Sequence, residues 1–284
     1  MFFQNARKYI IFLRYLCDNL NKKKKMAREI LISNDDSINA KGLEVLIRLM
    51  RAFGNVTVVA PTEPQSAKSA SISLGSSGLV LRKVKEEEGL RLYSLNGTPV
   101  DCIKAAFNCL YPEGTQPDLI VSGINHGSNA SSAVHYSGTV AAVTEAAISL
   151  VPGIAYSICS HIDNPDFSAL EHWIPIITQK LIDSGLHSDT FYNINFPALP
   201  LDELKGIKLT RRGRGRWIHE YQIGEQTDDS VPLTMTGKFL DLETGSTDPI
   251  PADHPLLEQG YITITPIQID HTDYKEISRL SHSF

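Results

Sequence analysis

Short apolar runs of strand length alternate along this chain with segments whose apolar residues recur at helical spacing, and that alternation leaves few folds open. Mostly apolar runs occur at residues 29–33, 56–60, 118–122, 153–157 and 191–196. A strand that is apolar on both faces is buried on both faces, as in a parallel sheet covered by helices. Between the runs, Leu43, Leu46, Ile47 and Met50 share one helical face. So do Ile103, Ala106, Phe107 and Leu110; Val140, Val143, Ala147 and Leu150; and Leu170, Trp173, Ile174, Ile177 and Leu181. Thr98, Pro99 and Asp101 mark a helix start: a capping hydroxyl, proline at the first helical position and an acid three residues beyond the cap. The expected fold is α/β, a doubly wound, mostly parallel Rossmann-like sheet.

Two regions depart from that pattern. Beyond residue 210, short alternating segments separated by turn residues predict a β-hairpin arm over residues 211–257. A returning strand and a C-terminal tail with a short helix follow at 258–284. An isolated hairpin is marginally stable, so the arm and tail are expected to serve oligomerisation. At the other end, the apolar stretch at 8–17 is broken by Arg14 and runs into Lys22, Lys23, Lys24 and Lys25 without a small-residue cleavage site. It is too short to span a bilayer and a poor secretory signal. Residues 1–25 therefore read as a leader, the functional chain starting at or near Met26 and the α/β catalytic core covering 26–210.

Composition narrows the partners. With 284 residues and 42% apolar content the chain can bury one large core. A net charge of −5 supplies no global field for nucleic acid, so any anion site must be built locally. Neither nucleic acid nor a membrane is an expected partner. Cys17, Cys102, Cys109 and Cys159 show no metal-binding spacing and read as buried thiols in a reducing, cytoplasmic compartment.

The candidate chemistry lies where strands give way to helices. Asp35 and Asp36 follow the first apolar run, and in open α/β sheets ligands bind beyond the carboxyl ends of the strands. Adjacent carboxylates repel, and a divalent cation is the usual neutraliser. Two further loops, at 61–71 and 122–129, are rich in hydroxyl, amide and glycine residues. A parallel sheet brings all three to one edge, placing Asp35, Asp36, Ser66 and Asn125 within reach of one ion as hard oxygen donors. Ser137, Gly138 and Thr139 then open a helix whose N-terminal amides suit a phosphate.

Each element has a plainer reading. Asn34, Asp35 and Asp36 are good turn residues, Ser66, Ser69 and Ser71 can be loop solvation, and Ser137 and Thr139 can be caps. His126 and His135 read as loop or packing residues, since no second ligand stands at metal spacing beside them. Glu145 reads as solvated or as a structural partner of the loop. The arginines between 211 and 216 fit a solvated hairpin or a substrate rim, with RNA binding the alternative.

The same segments carry a family resemblance. The stretch 32–42 with its paired aspartates, residues 59–61 with Gln65-Ser66, the stretch 95–102, the Ser-Gly-Ile-Asn-His-Gly-Ser-Asn segment at 122–129, and Tyr136-Ser137-Gly138-Thr139-Val140 occur in the order found in the SurE survival-protein family. The resemblance covers nearly everything from Met26 to Pro266. It implies an α/β fold with a swapped arm or tail in a homodimer or homotetramer. It also implies hydrolysis of nucleoside 5′-monophosphates, with 3′-monophosphates and short polyphosphate as further candidates, and one divalent ion per subunit, magnesium or manganese before calcium. The family's metal ligands fall on Asp35, Asp36, Ser66 and Asn125. Two departures touch the site: Ser37 stands where the family usually has glycine, and Gln65 where it usually has arginine.

The mechanism these residues support is metal-assisted phosphomonoester hydrolysis. Ser137, Gly138, Thr139 and Asn129 would bind the phosphate, Lys68 would replace the missing arginine charge, and Asp35 or Asp36 would double as general base. Water is the expected nucleophile, because a carboxylate committed to a metal has less electron density to offer. The alternatives are a non-catalytic nucleotide or metal sensor and an RNA-binding protein.

Overall fold

The computed structural model describes residues 27–281, apart from 76, 77 and 163, together with residue 283. The expected leader, with Cys17 and the lysine run, lies outside the described residues. In chain order the elements are β1 (Arg28–Ser33), α1 (Lys41–Met50), β2 (Gly54–Pro61), β3 (Leu81–Glu87), β4 (Leu90–Leu95), α2 (Pro99–Cys109), β5 (Leu119–His126), α3 (Gly138–Ile148), β6 (Gly153–Cys159), α4 (Ser168–Ser184) and β7 (Thr190–Pro197). Then come β8 (Ile207–Leu209), β9 (Gly215–Ile218), β10 (Tyr221–Ile223), β11 (Leu233–Met235), β12 (Lys238–Asp241), α5 (Asp253–Glu258), β13 (Ile262–Gln268) and α6 (Tyr274–Leu280).

Nine strands form the main sheet in the order β3-β4-β2-β1-β5-β6-β7-β13-β8. Strands β4, β2, β1, β5, β6 and β7 run parallel, while β3 pairs antiparallel with β4, and β13 pairs antiparallel with β7 and parallel with β8. Alternation along β1 shows how the sequence selects this arrangement. Ile30 and Ile32 pack on one face with Leu43, Leu46 and Met50 of α1 and Leu170 and Ile174 of α4. Leu31 points to the other face, against Cys102, Ile103 and Ala106 of α2 and Ala142 and Ala146 of α3. All three β1 side chains are fully buried, each contributing about 1.5–3 kcal/mol. Helices on both faces complete the doubly wound layout.

The helix start at Thr98 is realised in full. Asp101 N donates to Thr98 Oγ1 at 3.1 Å, and Thr98 N donates to Asp101 Oδ2 at 2.9 Å, so two otherwise orphaned amides are satisfied reciprocally. The arm is built of two short antiparallel ladders, β9 with β12 and β10 with β11.

Several expectations need correction. Leu150 does not belong to a buried helical face; it lies past the end of α3 in a left-handed conformation and is 61% exposed. Cys109 is exposed and Cys159 half-buried, leaving Cys102 as the fully buried thiol among the described residues. The segment 122–129 is only partly a loop: β5 continues to His126, with a register shift against β6 between Ser122 and Asn125.

Candidate active site

The carboxyl ends of β1, β2 and β5 meet at one crevice. Asp35 is 3% exposed and Asp36 half-buried. The turn that carries them is held by Asn34, whose Nδ2 donates to the Ser37 carbonyl at 2.8 Å. Ser37 has φ of +91°, a left-handed conformation that costs a side-chain-bearing residue roughly 1–2 kcal/mol and that glycine adopts freely. The loop after β2 docks here through Gln65 N, which donates to the Asp35 carbonyl at 2.7 Å; Ser66, the next residue, is exposed. Ser69 fixes the far side of that loop: its N donates to the Tyr136 carbonyl at 3.1 Å and its Oγ to the His135 carbonyl at 2.6 Å.

From β5, His126 N donates to Asp36 Oδ2 at 3.4 Å. The Asn125 amide is oriented by its Nδ2, which donates to the Gly127 carbonyl at 2.8 Å, so that Oδ1 faces Thr139 Oγ1 at 3.4 Å. α3 enters from the opposite face. Ser137 caps it, accepting from Val140 N at 3.0 Å, and Thr139 donates its hydroxyl to Asp35 Oδ1. Gly138 lies so close that a Cβ there would stand 2.7 Å from Asp35 Cβ. The crevice therefore joins Asp35, Asp36, Asn125, Gly138 and Thr139, with Ser66 and Ser137 at its edge.

Two expected phosphate contacts sit differently. Asn129 is 5% exposed; its Nδ2 donates to Ser157 Oγ at 2.9 Å, its N to Asn195 Oδ1 at 2.8 Å, and its carbonyl accepts from Asn193 Nδ2 at 2.8 Å. It anchors the loop to β6 and β7. Lys68 is exposed on the loop after β2. Glu145 pairs with Lys104 of α2 at 2.6 Å and so supports the helix layer, not the loop. His126 packs on Phe167 and His135 contacts Arg212. Arg211 is committed to Glu243 and Asp248, which weakens the reading of a free basic strip for RNA. Sequence reasoning missed Asp253, fully buried, which accepts from Ser131 N at 3.0 Å and Gly213 N at 2.8 Å. It ties the loop after β5 to the base of the arm, and its acidic, proline-rich surroundings carried no signal of burial.

The electrostatics are those of a site short of positive charge. Burial, then the neighbouring Asp36, pushes the Asp35 carboxyl up to about 6 against the pull of Thr139. Burial also raises Asp36, opposed by the His126 amide. No cationic side chain contributes to either shift. Carboxylate, amide carbonyl and hydroxyl oxygens are the donor set that hard divalent cations take, and the two carboxylates have an unmet demand for one.

Fold and crevice together define an open α/β protein with a carboxylate-centred site at its strand ends, faced by a helix N-terminus. The family described as "Survival protein SurE" matches residues 30–219. The protein named 5′-nucleotidase SurE from Phocaeicola vulgatus is 39% identical over 259 residues, covering 91% of this chain and 98% of that one. Its counterpart from Bacteroides thetaiotaomicron is 38% identical over 252 residues, 89% and 94% of the two chains. The crystal structure of the SurE protein from Aquifex aeolicus superposes with a TM-score of 0.74 at 28% identity, covering 90% of this chain and 99% of that one. The chain belongs to the SurE family.

Proposed function

We propose that this chain is a divalent-metal-dependent phosphomonoesterase that hydrolyses nucleoside 5′-monophosphates to nucleoside and phosphate, with 3′-monophosphates and short polyphosphate as further candidate substrates. The observation that carries the reading is the pair of adjacent, largely buried carboxylates with no cationic partner, set against the opening of α3. The family supports it, and so does the nucleotidase name of relatives aligned over nearly the whole chain.

Asp35, Asp36, Ser66 and Asn125 would hold one ion, magnesium or manganese before calcium. When bound, it supplies Lewis-acid polarisation of the phosphoryl group and acidifies a water. The chain's own residues do the rest. Thr139 fixes the orientation of Asp35, and the Asn125 amide is turned toward the same point by its bond to the Gly127 carbonyl. Ser137 and Gly138, at the helix N-terminus, bind phosphate oxygens as charge builds on the leaving ester oxygen. Asn129 keeps the adjoining loop in place through β6 and β7, and Lys68 offers an exposed cation on the loop after β2. One aspartate accepts the proton of the attacking water.

The arm supports assembly into a homodimer or homotetramer: Ile223, Leu233 and Met235 are 68%, 55% and 68% exposed on its ladders, and exposed apolar groups of this kind mark protein contacts. Among the described residues no helix is long and apolar enough to cross a membrane.

The test is phosphate release from a panel of nucleoside monophosphates with magnesium, manganese or EDTA, comparing wild type with Asp35→Asn. Metal-dependent turnover that the substitution abolishes is expected. A folded, metal-loaded wild type that releases no phosphate would overturn the reading.

A further inference from the structure

A second cavity, of about 490 Å³, lies across Gly127 from Asn125 and is walled by Trp217 and Phe239 of the arm, by Pro197 and Leu257, and by Ser128 and His161. The two spaces share a wall: a Cβ on Gly127 would stand 3.3 Å from His161 Cε1 and 3.8 Å from Asn125 Nδ2. Gly127 thus separates a candidate metal ligand from the lining of the second cavity by the thickness of one backbone.

The aromatic wall is a braced structure. Trp217 meets Phe239 edge to face at 5.7 Å, and Phe239 meets His254 the same way at 5.2 Å. Behind them, Gly215 leaves room for the Phe239 ring, since a Cβ there would lie 2.2 Å from its Cζ. His254 is in turn held by Asp241 at 2.7 Å. Held in this way, Trp217 nevertheless keeps 45% of its surface exposed. A large aromatic ring, fixed from behind and open in front, in a cavity of small-ligand size with mostly apolar walls and few polar groups, suits a flat heteroaromatic ligand.

We propose that this cavity receives the nucleobase of the nucleotide whose phosphate is held at the opening of α3, beside Asp35 and Asp36, with Trp217 as its stacking surface. The inference rests on the nucleotidase reading for its ligand and adds where recognition of the base resides: on the arm, outside the α/β core. Stacking on an aromatic ring is tolerant of base identity, so Trp217 favours nucleotides over base-free phosphate esters without strong preference among bases.

The chain has two tryptophans, Trp173 and Trp217, so Trp173→Phe leaves Trp217 as its only indole reporter. In the full chain, with magnesium present and emission read on rapid mixing, AMP is expected to quench that emission saturably and ribose 5-phosphate is not. In turnover, the ratio of kcat/KM for AMP to that for ribose 5-phosphate is expected to fall about 10-fold or more in Trp217→Ala, from the usual worth of base–aromatic stacking, and to recover in Trp217→Phe. Unchanged emission with AMP, or an unchanged ratio in Trp217→Ala, would overturn the proposal. The two readings fail separately. Quenching by AMP without phosphate release from any nucleotide leaves the base site standing and removes the phosphatase. Release from both esters at a ratio indifferent to Trp217 removes the base site alone.

Discussion

Thr139, fully buried in the first turn of α3, donates its hydroxyl hydrogen to Oδ1 of Asp35, 104 residues earlier in the chain. The bond links the end of β1 to the opposite helix layer and sets the direction of a buried carboxylate. Hydrogen bonds to charged groups contribute about 1.5–3 kcal/mol. Thr139→Val, which keeps shape and removes the donor, is expected to lower kcat/KM for a nucleoside monophosphate by about 10- to 100-fold, and Thr139→Ser to restore most of it. Steady-state kinetics on the three proteins check this, and equal activity in the valine variant would break the link.

Gly138 makes the complementary contact. Alanine is ordinarily about 1 kcal/mol better than glycine inside a helix, yet here its Cβ would press on Asp35 at 2.7 Å. Overpacking of this kind costs about 1–3 kcal/mol. Gly138→Ala is therefore expected to lower Tm, against helix propensity, and to reduce activity at least 10-fold. A raised Tm with normal turnover would show that the two elements are not in contact.

Ser37 provides a test in the stabilising direction. Its φ of +91° is strained for any residue with a Cβ, and its carbonyl, which accepts from Asn34, survives substitution. Ser37→Gly is expected to gain up to about 1 kcal/mol, a rise in Tm of roughly 2–4 °C for a domain of this size. Thermal unfolding of the two proteins decides, and a fall in Tm would mean that the Ser37 side chain contributes more than its conformation costs.

Much of this was readable in the residues. The parallel core follows from the two-sided apolar runs, the start of α2 from Thr98 and Asp101, and the meeting of three loops at one edge from the parallel sense of β1, β2 and β5. Other features lacked a local signal. β3 is charged and exposed along nearly its whole length, so it has neither an apolar run nor a clean alternation to announce its pairing with β4. Asn125 lies in a strand whose register shifts, and periodicity cannot register an irregularity. β13 reads as a strand, but its insertion between β7 and β8, antiparallel to the first and parallel to the second, depends on the whole chain path. The approach of Gly138 to Asp35 and the gathering of Trp217, Phe239 and His161 around one cavity are likewise tertiary facts. Nothing in the spacing of those residues encodes them.

Glu243 anchors the arm and gives stability a pH dependence. Arg211 grips it with two bonds of 3.0 and 2.6 Å, and Arg214 N adds a third at 2.6 Å. Those contacts, Arg211 first, hold its carboxyl down at about 2, well below its ordinary 4.5, against the cost of burial. The folded state thus binds fewer protons than the unfolded chain between these values, so unfolding takes up protons as the pH drops. The stabilisation is complete above about 4.5 and disappears as the pH falls through about 2. The Tm deficit of Glu243→Gln should accordingly be constant near neutrality and shrink below about pH 4.5. A deficit that widens in acid would contradict the sign.

The most direct measurement is manganese binding, followed by electron paramagnetic resonance, to metal-free wild type and to Asp36→Asn, a substitution that preserves size and removes charge from the carboxylate pair. The account predicts one ion per chain in the wild type and affinity at least 10-fold weaker in the variant. Equal binding by the two proteins, or none by a folded wild type, would contradict a metal site at Asp35 and Asp36.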